Sequence, residues 1–168
     1  MQRITSVRLI EERLLAELRA YVERVRELVE RDVSSIEQGI AILRKLRKES
    51  YEDLNQIQHE GLILRAIKWL ESNLAKGTVS DWYWNPRQTG DITEPDLRGT
   101  RDGVITVSAE VTTSEEPKGT IDKRMGETLG KLNDMPGKRY YFVRTEKMAK
   151  RARSKISRNH YQIEVVKL

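Results

Sequence analysis

"EPDLRGTRDGVITVSAEVTTS", residues 94–114, decides how the rest of the chain is read. Pro95-Asp96 opens it, and Asp102-Gly103 supplies a turn signal in its middle. The run from Val104 to Thr112 is rich in β-branched residues and alternates in character, the mark of a strand with two unlike faces. On such a strand Ile105, Val107, Ala109 and Val111 face one way, and Thr106, Ser108, Glu110 and Thr112 face the other. A strand around residues 95–99 precedes it. If the two pair as a hairpin, Asp96 and Glu110 can converge. Carboxylates that close repel unless a cation lies between them. Hard oxygen ligands of this kind select Mg2+ or Mn2+ over zinc. The same letters also fit an ordinary turn and edge strand, in which Glu110 is merely solvated.

Working outward, "DWYW" at residues 81–84 reads as a short strand followed by a loop. "GTIDKRMGETLGKLND" is helical, with Ile121, Met125, Leu129 and Leu132 on one face. "RYYFVRT" is a buried strand, "EKMAKRARSKIS" a basic helix and "YQIEVVKL" a final strand. From residue 51 onward the order is helix, three strands, helix, strand, helix, strand. That order predicts an α/β fold, a mixed sheet flanked by helices.

The first third reads as a helical extension over residues 1–50, ahead of a core over residues 51–168. Leu14, Leu18, Tyr21, Val25 and Leu28 alternate spacings of four and three. They form either a face packed on the chain's own domain or a dimer arm. Ser35 and Gln38 match a capping box, and Ile36, Ile40, Leu43 and Leu46 would line the buried face of the helix that follows. Around Ser50 the pattern shifts to a third helix or a kink. Helix continues to Lys76, where Gly77 is a stop.

Composition narrows the chemistry. The 168 residues carry a net charge of +5, which permits a polyanionic partner. The absence of cysteine removes disulfides, thiol nucleophiles and zinc-thiolate sites. His59 and His160 form no metal-ligating pair. No apolar run approaches a membrane span and no signal core opens the chain, so a cytoplasmic location is expected.

A third carboxylate stands in "NQIQHEGLILRAIKWLES", residues 55–72, which is apolar over most of a helical circumference. Glu60 at the edge of a buried stripe needs a cation or a donor. The answer is either a salt bridge or a share in the metal. The acidic helix, Pro95-Asp96, Glu110-Val111-Thr112 and the elements after them resemble the PD-(D/E)xK nuclease superfamily, the restriction-endonuclease-like fold, over residues 51–168. The resemblance implies an endonuclease hydrolysing phosphodiester bonds, with DNA as the substrate. It implies that Asp96, Glu110 and the Val111 carbonyl hold Mg2+ or Mn2+, with Glu60 assisting. In-line displacement would leave a 5′-phosphate.

Thr112 departs from that pattern, because the superfamily carries lysine there. Threonine can hydrogen-bond a water but brings no charge to the developing oxyanion. Arg124 and Lys131, seven apart on the next helix, are the candidates to replace it; Lys118 and Lys123 are less well placed. The basic helix offers a phosphate-binding footprint in Lys147, Lys150, Arg151, Lys155 and Arg158. In "DWYWNPRQTGD" Trp82, Tyr83, Trp84, Arg87 and Gln88 can contact bases or cap the core. Three readings follow: a metal-dependent nuclease that dimerises through its N-terminal helices, an inactive nucleic-acid-binding relative with Thr112 as its scar, and a helical scaffold whose acids are incidental.

Overall fold

The computed structural model describes residues 1–86 and 93–168, with the backbone alone for residues 49, 50, 52 and 53. In chain order the elements are β1 (Gln2–Ile4), α1 (Val7–Val29), α2 (Ile36–Asn73), β2 (Asp81–Trp84), β3 (Leu97–Arg101), β4 (Val104–Thr112), α3 (Thr120–Asn133), β5 (Lys138–Val143), α4 (Glu146–Asn159) and β6 (Glu164–Lys167). Two compact units result, Met1–Thr5 with Leu62–Leu168, and Ser6–Gly61.

The first unit is a mixed α/β layer structure on a six-stranded sheet in sequential order, β1 to β6. β2, β3 and β4 are antiparallel neighbours, and Asp102 and Gly103 both take positive φ in the short β3–β4 turn. β4, β5 and β6 run parallel, so each connection needs a crossover, and α3 and α4 supply them. The strands and helices expected after residue 80 are all present. β1 was not expected: a three-residue strand has too little pattern to announce itself, and it exists by pairing with β2.

The alternation read in β4 sorts the two faces. Leu97, Val107, Ala109 and Val111 are buried on one, together with Trp82 and Trp84. On that face Trp69 of α2 meets Tyr140 and Phe142 edge-on, at centroid distances of 5.9 and 5.8 Å. Both tryptophans of β2 are therefore core residues, and Tyr83 lies on the opposite face. There α3 and α4 bury Met125, Leu129, Leu132, Met148, Ala149 and Ala152 against Tyr141 and Val143. Ile121, expected on that buried face, is exposed at the first turn of α3. The turn from α3 into β5 lies flat on β4. A Cβ on Gly137 would come within 2.5 Å of the Thr106 carbonyl carbon, and Ser108 donates to the Pro136 carbonyl at 2.8 Å.

In the second unit Ser6 caps α1, its hydroxyl accepting from the Leu9 amide at 3.3 Å. Ser35 caps α2 as the capping box predicts, accepting from the Gln38 amide at 3.1 Å. α2 is one continuous helix through Ser50, not two. Leu14 and Leu28 are buried. Ile36, Ile40 and Leu43, expected on the buried face of α2, are instead exposed, as are Leu9, Leu15, Leu18, Val22 and Val29 on α1. Periodicity shows that a stripe is apolar; it does not show what covers it.

Candidate active site

β3 and β4 build the site by register. Leu97 pairs with Ala109, so one further step along both strands sets Asp96 opposite Glu110. Cross-strand neighbours on one face stand about 4.5–5.5 Å apart at Cβ. The convergence expected from the hairpin is present. Asp96 is only 2% exposed, and its Oδ2 accepts the Val111 amide hydrogen at 2.8 Å. A buried hydrogen bond to a charged acceptor contributes about 1.5–3 kcal/mol and fixes the rotamer of the carboxylate. The Val111 group that the structure places at Asp96 is thus its amide, while its side chain belongs to the opposite, buried face.

Glu110 lies at the margin of burial. Burial first, then the negative charge of Asp96, and then a hydrogen bond to Asp96 that only the protonated acid can make, push its carboxyl well above the usual range. Lys131 acts the other way, so its ammonium stands within electrostatic reach of Glu110. Arg124, two turns earlier on α3, is exposed. Lys118 pairs with Glu116, and Lys123 lies 3.9 Å from Glu127.

The parallel register with β5 adds a residue the sequence did not offer. Tyr141 pairs with Glu110, and Val143 with Thr112. Burial raises the Tyr141 phenol strongly; a hydrogen bond with the Thr112 hydroxyl opposes this, and the charges of Glu110 and Asp96 add to it. Two hydroxyls, Thr112 and Tyr141, therefore flank the carboxylate pair. Finding Tyr141 needed the β4–β5 alignment, which no local pattern encodes.

Two carboxylates held together on a small-polar face are a donor set suited to a hard divalent cation. Among the described residues no group of three His, Cys, Asp or Glu is placed to hold a metal, so water and substrate oxygens would complete the shell of any ion there. Glu60, 2% exposed, is ion-paired with Arg13 of α1, the salt-bridge alternative for that residue.

The basic helix is not a free cationic face. Arg151 grips Asp122 through two bonds of 2.7 and 2.8 Å, Lys155 reaches the same carboxylate at 3.2 Å, and Lys147 bonds Glu116 at 2.6 Å. Arg151 first and then Lys155 hold the Asp122 carboxyl well below its usual range, and Lys118 first and then Lys147 hold the Glu116 carboxyl at about 2. Lys150 and Arg158 are exposed with no ion pair among the described residues. Arg87 and Gln88 lie outside the described residues. No helix among the described residues is long and apolar enough to cross a membrane.

Comparison of the chain with protein-family models, with curated proteins and with solved structures returned no match.

Proposed function

We propose that this chain is a divalent-metal-dependent endonuclease that hydrolyses phosphodiester bonds in DNA, on a restriction-endonuclease-like version of its α/β fold. One observation carries the reading: the β3–β4 register sets Asp96 opposite Glu110 on one sheet face, where burial first and the Asp96 charge second raise the Glu110 carboxyl. A protein that keeps two such groups in contact favours a cation between them. Asp96 and Glu110, with the Val111 carbonyl, would hold Mg2+ or Mn2+. When bound, such an ion polarises the scissile phosphate and lowers the pKa of a water nucleophile.

The remaining work falls to this chain's own side chains. The Val111 amide holds Asp96 in place. Thr112 and Tyr141 present hydroxyls that orient the attacking water beside Glu110. Lys131 supplies the positive charge that Thr112 lacks, stabilising the negative charge that grows on the phosphate oxygens. Arg124 is the second candidate for that role, restricted to charge stabilisation because arginine does not give up its proton. Glu60, engaged by Arg13, has no part in this reading.

The competing reading is a nucleic-acid-binding protein that keeps the fold without the chemistry, and Thr112 is what favours it. Cleavage assays on supercoiled plasmid, linear duplex, single strand, four-way junction and RNA, with Mg2+ and with Mn2+, separate the two. Metal-dependent products lost in both Asp96→Ala and Glu110→Ala support the nuclease. Binding without products on any substrate supports the inactive relative.

Double-strand cleavage calls for two sites, and the exposed stripe Leu15, Leu18, Val22 and Val29 of α1 is the surface on which a second copy would pair. Light scattering should give a dimer for the wild type and a monomer for Leu18→Glu/Val22→Glu. An unchanged mass for the variant removes α1 as the interface.

A further inference from the structure

The sheet face that carries the carboxylate pair also carries a row that includes three arginines, two residues along the strands from the pair. Arg3 pairs with Tyr83, Tyr83 with Arg98, Arg98 with Ser108, and Ser108 with Arg139. Cross-strand partners share a face, so all five project to the side of Asp96 and Glu110. The row is not uniform. At its β4–β5 end the α3–β5 turn covers it: Ser108 is buried, and Arg139 donates through Nε to the Met135 carbonyl at 2.7 Å. At the β1–β3 end Arg3 is exposed, and Tyr83 and Arg98 are partly so.

Arg98 is the residue of consequence. It lies two positions along β3 from Asp96, about 7 Å along the strand. Its side chain is 27% exposed, so the guanidinium is neither sealed in nor solvated away. Its Nε is buried with no hydrogen-bond partner among the described residues. The Glu94 carboxylate stands 3.9 Å from Nη1 and is itself bonded at 2.8 Å to the amino group of Met1. A buried donor left unsatisfied is costly, and native folds keep few of them without a purpose. An arginine fork beside a carboxylate pair suits a phosphate group, two of whose oxygens accept parallel N–H bonds.

We infer that Arg98, flanked by Tyr83 and Arg3, is the track on which the phosphodiester backbone of the substrate lies as it reaches Asp96 and Glu110. The inference rests on the nuclease reading for the destination of the track but not for its existence. Arg98 takes the phosphate next to the scissile one. Tyr83 offers a ring on which a base or sugar can pack. Arg3, held over the row by Asp81, contributes a more distant charge. The principal contact then comes from the sheet and not from α4, whose cations are largely spent on Asp122 and Glu116.

The test is fluorescence anisotropy with labelled duplex and single-stranded DNA, in Ca2+ and over a range of salt. The variants are Arg98→Gln, Arg98→Lys and the α4 control Lys150→Ala/Arg158→Ala. Arg98→Gln should weaken binding about tenfold or more and reduce the salt slope by about one. Arg98→Lys keeps the charge without the fork, is the milder change to the fold, and should fall between Arg98→Gln and wild type. The α4 control, which removes two cations without an ion pair among the described residues, should weaken binding less than Arg98→Gln does. Circular dichroism melts of each variant verify that it is folded. Wild-type affinity in both Arg98 variants, or no binding of either DNA by the wild type, overturns the track. So does a loss confined to the α4 control. Cleavage assays keep the two readings apart. Intact Arg98 dependence of binding without cleavage removes the nuclease and leaves the track. Cleavage that needs Asp96 and Glu110 but is indifferent to Arg98 removes the track and leaves the nuclease.

Discussion

Two regions of this molecule are rich in charge, and they treat it in opposite ways. On α4 the cations meet anions: Arg151 and Lys155 share Asp122, and Lys147 takes Glu116. On the sheet face two acidic groups are left together, Asp96 against Glu110, and the Nε of Arg98 has no partner among the described residues. The first arrangement lowers the free energy of the fold by local pairing, at exposed and half-buried positions where each pair contributes little. The second raises it, because a buried carboxyl is pushed toward its protonated form and a buried donor goes unused. Folds retain such costs where a ligand relieves them, and that difference separates a structural basic surface from a functional one.

The carboxylates should show the largest effect. Asp96→Asn or Glu110→Gln should reduce metal-dependent cleavage by on the order of 10²-fold or more, read as initial rates on plasmid. Survival of activity in either would mean that the pair is not the site. Lys131→Ala should come next, with a loss on the order of 10²-fold in kcat and little change in DNA affinity. A fall in affinity at unchanged kcat would make Lys131 a phosphate contact instead.

Asp122→Asn sharpens the comparison from the other side. It releases Arg151 and Lys155, so α4 should come to resemble the sheet face, with DNA affinity rising severalfold at low salt and the gain vanishing as salt is added. The same change should lower the melting temperature slightly at neutral pH. The sign follows from the depressed pKa. A carboxylate whose folded pKa lies below its unfolded value contributes stability above the unfolded value, and loses it as pH falls through the folded one. The Glu116 contribution, present at neutral pH, should therefore fade between its ordinary 4.5 and about 2. The melting difference between wild type and Asp122→Asn should shrink in the same direction as pH drops. A difference independent of pH would mean that the pair is not what holds the segment.

Much of this was legible in the sequence, and the parts that were not share a cause. The strand Val104–Thr112, its two faces and the approach of Asp96 to Glu110 followed from alternation and a nearby turn, because all of those are local. α3, β5, α4 and β6 followed from short-range periodicity in the same way. Tyr141 beside Glu110 was not legible, since the parallel register of β4 with β5 is set by a crossover of some length. The row through Arg98 required the alignment of five strands at once. β1 escaped notice because only its partner makes it a strand. The cations of α4 could be counted in advance, but whether each had an anion depended on Asp122 and Glu116, which are remote in sequence. Ile36, Ile40 and Leu43 were expected to be covered; their spacing was real, and no cover for them lies among the described residues.

Thermal unfolding of wild type and Glu110→Gln, with and without Mn2+, shows whether a cation belongs between Asp96 and Glu110. A carboxyl whose pKa is raised on folding binds more protons in the native state than in the unfolded one, so its contribution to stability falls as pH rises above the ordinary carboxylate range. Without metal at neutral pH, Glu110→Gln should therefore melt higher than wild type. With Mn2+ well above its dissociation constant the order should reverse, because only the wild type gains the binding energy, about 2.7 kcal/mol at a hundredfold excess over Kd. A wild type that melts at the same temperature with and without Mn2+ would contradict the account, whatever the variant does.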